Sequence, residues 1–223
     1  MTFTVVWEGL DGAGKTSLMT ETMKVLKIKG LTVTSYKTPS NTSIGEFAFR
    51  VGNSPEIDPL TRMLLFLANT SSDSKILRDM VVRDRPDLLF IDRYYLCSIV
   101  YGVSLLSIHN PELEASKTFE DWFNIVESSG RSIFINPDLY IIVNVDEETR
   151  IRRLILKGRT ADSRFSEDRK LMETVLGLYR HFREKHSEKT MWVENLENLL
   201  SVTAENIAEK IIEKLRERGW GIK

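Results

Sequence analysis

The sequence predicts an α/β protein: a parallel sheet of short buried strands with helices on both faces. Three observations carry that prediction. Short apolar runs rich in valine, isoleucine and leucine recur along the 223 residues, and runs with no polar alternation suit strands buried on both faces. Longer segments with helical periodicity separate them, an alternation that builds helix-covered sheets. A glycine-rich stretch, GLDGAGKT at 9–16, joins the first strand pattern to the first helical one.

The first strand is expected over Phe3 to Glu8, rich in valine and aromatics, and the first helix over Lys15 to Lys29. Leu31 to Tyr36 follows Gly30 as a second strand. Asp58 before Pro59 is a good N-cap and first-turn pair, and opens a helix predicted to run to about Arg83. Along it Leu60, Leu64 and Leu67 form one stripe, while Phe66, Thr70 and Asp73 form a second that turns polar midway and suits a cleft. Leu88 to Ile91 is the third strand. After Arg93, the positions Tyr94, Ser98 and Tyr101 share one helical face. Leu139 to Val145 and Met191 to Val193 complete the strands. The remaining helices are Glu147 to Lys157, Glu167 to Lys185 and Val202 to Arg218, the last with Ile207, Ile211 and Leu215 in register. Between the first two of these lies the charge-dense KGRTADSRFSEDRK at 157–170, expected as a mobile surface segment.

Composition narrows the class. A chain of 223 residues with 42% hydrophobic and 28% charged content suits a single domain spanning 1–223. A net charge of -1 gives no footprint for nucleic acid or an anionic membrane. Cys97 is the only cysteine, which excludes an intrachain disulfide or a cysteine zinc cluster and suits a reducing compartment. The start of the chain lacks a basic segment followed by an apolar run, and no window approaches the ~20 apolar residues of a membrane span. The expected setting is cytoplasmic, with no membrane and no nucleic-acid partner.

Gly9, Leu10, Asp11, Gly12, Ala13, Gly14, Lys15 and Thr16 match the pattern G-x-x-x-x-G-K-[ST], followed by Ser17. Glycines let backbone N–H groups turn inward around phosphate oxygens, Lys15 neutralises β and γ phosphates, and Thr16 offers its hydroxyl to Mg²⁺. Its place after a strand and before a helix is the confirming context. Asp92, at the end of the third strand, is the second predicted Mg²⁺ residue. Taken alone it reads equally well as a helix N-cap.

In this order and at these separations, EGLDGAGKTS, LLFLAN, IDRYY and PDLYIIVNVD resemble the thymidylate kinase family of P-loop nucleoside monophosphate kinases, over residues 3 to 215. The resemblance implies a P-loop kinase fold with a five-stranded parallel sheet and a short LID at about 157–167. It also implies Mg²⁺-dependent phosphoryl transfer from ATP to a deoxynucleoside monophosphate, dTMP to dTDP, and a homodimer. Asp11 matches an acid that contacts the acceptor sugar near the metal, and Arg93 an arginine on the transferring or acceptor phosphate. Phe66 would stack on the base and Tyr94 pack beside the sugar, with Ser98 and Tyr101 as further substrate contacts. Arg159 and Arg164 would bring the LID's positive charge to the transition state.

Two departures stand out. Where many relatives have Arg-Glu-Pro-Gly-Gly-Thr, this chain has Lys37-Thr38-Pro39-Ser40-Asn41-Thr42, so Lys37 or Arg50 would have to supply the acceptor-phosphate cation. The family's base-reading arginine falls at Thr70. Two other readings stay open. One is a related P-loop kinase with another acceptor: dUMP, another pyrimidine monophosphate, or a deoxynucleoside with Glu8 as base. The other is an ATP-binding switch protein that is not a kinase.

Overall fold

The computed structural model describes residues 2–112, 117–130, 133–158 and 168–220. Five strands, β1 (Phe3–Glu8), β2 (Val33–Lys37), β3 (Leu88–Asp92), β4 (Leu139–Asn144) and β5 (Thr190–Glu194), form a parallel sheet in the order β2-β3-β1-β4-β5. The helices are α1 (Lys15–Ile28), α2 (Ser43–Gly52), α3 (Pro59–Asp84), α4 (Tyr95–His109), α5 (Phe119–Ser129), α6 (Glu147–Leu156), α7 (Arg169–Lys185) and α8 (Leu200–Glu217).

Alternation along the strands divides the core in two. Val6, Leu89, Ile91, Tyr140 and Ile142 face one layer, packed with Met63 of α3, Ile99 of α4, Phe123 of α5 and Phe182 of α7. Val5, Trp7, Phe90, Ile141 and Val143 face the other, against Leu18 and Leu26 of α1 and Ile207, Ile211 and Leu215 of α8. Each fully buried aliphatic side chain contributes about 1.5–3 kcal/mol of transfer free energy. The sheet is therefore fixed from both sides, and its C-terminal edge becomes a rigid rim.

Two helices were not expected. In α2, the Thr42 side chain accepts from the Gly45 N–H at 3.1 Å, and a Cβ on Gly45 would lie 2.0 Å from the Ser40 carbonyl oxygen. The α5 start carries a reciprocal capping box between Thr118 and Asp121. Strand β2 starts two residues later than the pattern suggested, and α8 starts two residues earlier.

Asp58 caps α3 as expected, accepting from the Thr61 N–H at 2.9 Å. Of the leucine stripe, Leu60 and Leu67 pack partly buried against the core and Leu64 is exposed, while Arg62, Met63, Asn69, Thr70, Asp73, Ser74 and Leu77 are buried. A largely polar stripe turned inward needs partners or a polar ligand. The expected LID residues Arg159 and Arg164 lie outside the described residues. Among the described residues, no helix is long and apolar enough to cross a membrane.

Candidate active site

Strand β1 delivers the glycine-rich loop to the rim, and α1 begins at Lys15. Gly9, Gly12 and Gly14 have φ of 127°, 86° and 89°, values that side chains disfavour. Gly9 also lets the loop leave β1 flush against β4, since a Cβ there would sit 2.2 Å from the Val143 carbonyl oxygen.

The loop's carbonyls are held from outside. Asp11 O accepts from Arg150 Nη1 at 3.3 Å, and Ala13 O accepts from Asn195 Nδ2 at 2.7 Å and Arg153 Nη1 at 3.2 Å. Carbonyls fixed outward leave N–H groups for an anion inside. Arg150 is itself fixed by Glu147 through bonds of 2.6 and 2.7 Å. Leu10 and Ala13 are buried, so these positions serve the loop through backbone and packing, while Thr16 and Ser17 are exposed on the first turn of α1. Lys15 Nζ donates to Gly9 O and Leu10 O at 3.0 and 2.8 Å. Burial, reinforced by Arg93, lowers its pKa to about 8 against the opposing pull of Asp11 and Asp92.

At the end of β3, Asp92 Oδ2 accepts from Thr16 Oγ1 at 2.7 Å. Asp92 does not cap α4: the N-cap position is Tyr94 and no side chain of that residue caps it. Glu8 does that work from β1. Its Oε1 accepts from the N–H groups of Tyr94 and Cys97 at 3.1 and 3.2 Å, and its Oε2 accepts from the Tyr179 hydroxyl at 3.0 Å. Burial raises the Glu8 pKa to about 7. With its oxygens engaged and its side chain off the cavity wall, Glu8 is not placed as a general base for a nucleoside hydroxyl. Among the described residues there is no group of three or more His, Cys, Asp or Glu suited to a metal. A hydroxyl and one carboxylate still suit Mg²⁺, which binds through one or two carboxylates together with substrate phosphates.

Beyond Asp11 and Arg93 opens a cavity of about 610 Å³, counting space continuous with solvent. Thr38, Pro39, Phe49 and Asn53 form one wall; Arg62, Phe66, Asn69 and Thr70 of α3 form the second; Arg93, Tyr94, Cys97, Ser98 and Tyr101 form the third. Arg93 stands between loop and cavity. Its Nη2 donates to Asp11 Oδ1 and its Nη1 to Cys97 Sγ, each at 2.8 Å, and its guanidinium lies 5.9 Å from the centre of the Tyr101 ring. Its φ of 68° is a strained value for a side-chain-bearing residue. The Arg93 N–H donates to Trp7 O, and its carbonyl accepts from Thr38 Oγ1, so the backbone is held there from both sides.

Phe66 faces the cavity with Gly52 behind it, where a Cβ would come within 2.7 Å of the ring. Arg62 Cζ lies 4.8 Å from the ring centre. The Tyr94 hydroxyl belongs to the wall, 2.6 Å from Ser74 Oγ and accepting from the Ile135 N–H at 3.0 Å. Thr70 Oγ1 donates to Phe66 O at 2.8 Å, which leaves lone pairs toward the cavity. Asn69 Nδ2 donates to Asp73 Oδ2 at 3.1 Å, and Asp73 Oδ1 accepts from Ser40 Oγ and the Tyr36 hydroxyl.

Of the residues picked from sequence, Asp11, Phe66, Thr70, Arg93, Tyr94, Ser98 and Tyr101 meet in this one cavity. Lys37 does not join them: it ends edge strand β2 with its side chain exposed, and Arg50 is also exposed, neither on the cavity wall. Sequence reasoning missed Arg150, Arg153 and Asn195, for which no local signal exists. It also missed Arg62, which the helical spacing one turn before Phe66 would have found.

The thymidylate kinase family model matches residues 7–207. A thymidylate kinase of Caldicellulosiruptor saccharolyticus is 28% identical over 220 residues, spanning 96% of this chain and 93% of the relative. A probable thymidylate kinase of Sulfurisphaera tokodaii is 27% identical over 185 residues, spanning 82% and 83%. The solved thymidylate kinase of Candida albicans superposes with a TM-score of 0.66 at 19% identity, covering 98% of this chain and 92% of that one. With a phosphate loop, a carboxylate at the end of β3 and an aromatic-walled cavity in one line, the chain belongs to the thymidylate kinase family.

Proposed function

We propose that the protein transfers the γ-phosphoryl group of ATP to dTMP, giving ADP and dTDP by direct in-line displacement without a covalent enzyme intermediate. The observation that carries this reading is the Arg93–Asp11 pair, 2.8 Å apart, at the junction of the phosphate loop and the cavity. A guanidinium there reaches both the transferring phosphoryl group and an acceptor phosphate, where planar bidentate donation suits oxyanions.

The division of labour follows from position. Backbone amides of residues 9–17 and Lys15 hold the donor phosphates. Thr16 and Asp92 would hold Mg²⁺, which when bound neutralises charge on the β and γ oxygens. Asp11 faces the acceptor near its sugar, Phe66 offers an apolar π surface to the base, and Thr70 presents an acceptor to its edge. Tyr94, Ser98 and Tyr101 complete the acceptor wall, and Arg159 and Arg164 of the LID would add charge on closure. A single domain that works as a cytoplasmic homodimer accords with the family.

The engaged, buried Glu8 weighs against a deoxynucleoside acceptor. A pure ATP switch would have no use for an aromatic cavity opening beside Arg93. A coupled ADP-release assay across dTMP, dUMP, dCMP, purine monophosphates and thymidine tests the proposal. Release dependent on dTMP is expected; ATP binding without any monophosphate-dependent release would refute it.

A further inference from the structure

A chain of hydrogen bonds runs from the start of α2 to the cavity wall, and chemistry fixes its direction. The Gly45 N–H can only donate, and it donates to Thr42 Oγ1 at 3.1 Å. Thr42 Oγ1 lies 2.8 Å from Ser40 Oγ, and Ser40 Oγ donates to Asp73 Oδ1 at 2.6 Å. The Tyr36 hydroxyl donates to the same oxygen at 3.2 Å. A carboxylate only accepts, so Ser40 spends its proton on Asp73 and takes that of Thr42. The other carboxylate oxygen, Oδ2, accepts from Asn69 Nδ2 at 3.1 Å, which closes the chain on α3.

Asn69 is the member of this chain that reaches the cavity: it lines the wall, whereas Asp73 is fully buried and off it. The two ends of an asparagine amide differ in hydrogen-bonding sense, and a flip exchanges them. Here the flip is barred, because it would set Oδ1 against Asp73 Oδ2 with no proton between them. With the amino end committed to Asp73, Oδ1 is the end left for the cavity, and among the described residues no group donates to it. Asn69 and Thr70 follow Phe66 by three and four residues, so they stand on the next turn of the same helix face. The edge of a base stacked on Phe66 would meet them there.

We infer that Asn69 is a specificity-determining residue for the base, its Oδ1 accepting the ring N–H of thymine beside Thr70, and that Asp73 is the positioning residue that denies it the opposite sense. The inference rests on the proposed monophosphate kinase reading. Thr70 Oγ1 also shows lone pairs, so α3 turns two acceptors to that edge. The ring nitrogen of cytosine carries no proton and would meet lone pairs with lone pairs. Discrimination then originates behind the wall, in the one-way chain that ends on Asp73.

Asp73→Asn tests this, because it keeps the shape and reverses the sense. Ser40 and Tyr36 still donate, so the new amide oxygen stays with them and the new amino group faces Asn69. Asn69 then turns Oδ1 inward to meet it and shows its own amino group to the cavity. Coupled ADP release gives kcat/KM for dTMP and dCMP, and calorimetry gives dissociation constants for both and for ATP. The dTMP over dCMP ratio should fall about tenfold or more, with dCMP improving in absolute terms and ATP binding unchanged. A merely structural Asp73 would weaken both monophosphates together at a constant ratio, which overturns the inference. A ratio that falls with no gain for dCMP overturns the positioning role of Asp73. Asn69→Ala should lower the ratio about fivefold, the scale of one hydrogen bond, and an unchanged ratio overturns the role of Asn69. Should Asp73→Asn fail to fold, Asn69→Ala decides alone. A wild-type protein that binds dTMP but releases no ADP refutes the kinase reading, while the dissociation constants still decide the Asn69 comparison.

Discussion

Thr16 Oγ1 donates to Asp92 Oδ2 at 2.7 Å, linking the first turn of α1 to the end of β3 across a sequence separation of 76 residues. The parallel register places Asp92 beside Trp7, at the level where β1 gives way to the phosphate loop. Two oxygens of different chemistry are thus held together at the rim before any metal is considered. Asp92→Asn and Thr16→Val should each raise the Mg²⁺ concentration needed for half-maximal turnover. A loss of one liganding oxygen or its support is worth about 10–100-fold in metal affinity. Magnesium titrations of turnover, with circular dichroism as a fold control, check this; an unchanged requirement in both variants would remove the metal assignment.

Lys15 titrates at about 8 because it is buried beside Arg93. Bound triphosphate would favour the charged form and raise that value. ATP affinity should therefore be flat with pH below about 8 and fall above it, as binding must then take up a proton. Calorimetry at pH 8.5 in buffers of different ionisation enthalpy should detect that uptake. Lys15→Ala should abolish it, along with nearly all transfer, while leaving the fold intact.

The Glu8 carboxyl has its pKa raised by burial from an ordinary 4.5 to about 7. Between those values the folded state binds more protons than the unfolded chain, so this residue's contribution to stability falls as pH rises from 4.5 to about 7 and is constant outside that window. The slope is at most about 1.4 kcal/mol per pH unit. Glu8→Gln retains an oxygen for the Tyr94 and Cys97 amides but has no charge. Urea unfolding across pH 4–9 should show wild type losing stability relative to Glu8→Gln through that window. Parallel curves would refute the burial argument.

Thr70 gives its proton to Phe66 O, so it can offer the base only lone pairs. An acceptor there suits the ring N–H of thymine and opposes the bare ring nitrogen of cytosine. Thr70→Val, similar in shape, should lower the ratio of kcat/KM for dTMP over dCMP by about 1 kcal/mol, the usual net worth of one hydrogen bond. A ratio indifferent to the substitution would show that Thr70 does not meet the base.

The strands were legible because each is a short run buried on both faces, and the glycine-rich loop because its residue types are dictated by phosphate chemistry. Helix α2 was hidden because it is short and contains Gly45 and Gly52, whose reasons are tertiary: the Ser40 carbonyl and the Phe66 ring. The polar face of α3 was legible too, since Phe66, Thr70 and Asp73 form a stripe that turns polar midway, as a cleft-facing stripe does. Leucines ordinarily mark the core side, but Arg62, Asn69, Thr70 and Asp73 turn inward because a cavity and a hydrogen-bond network await them. Asn195 was unreadable, since its partner Ala13 lies 182 residues away.

The phosphate loop takes its outside support from Arg150 and Arg153 of α6 and from Asn195 just after β5, whereas the acceptor cavity is walled largely by the β2–α2 loop, α2, α3 and α4. The two halves of the reaction are thus inherited on separate stretches of chain. Substitutions in the β2–α2 loop, α2, α3 and α4 can reshape the cavity without touching the outside support of the loop. A change in what the cavity admits would then fall on one loop and three helices, with Arg93 the residue that must suit both sides of the junction.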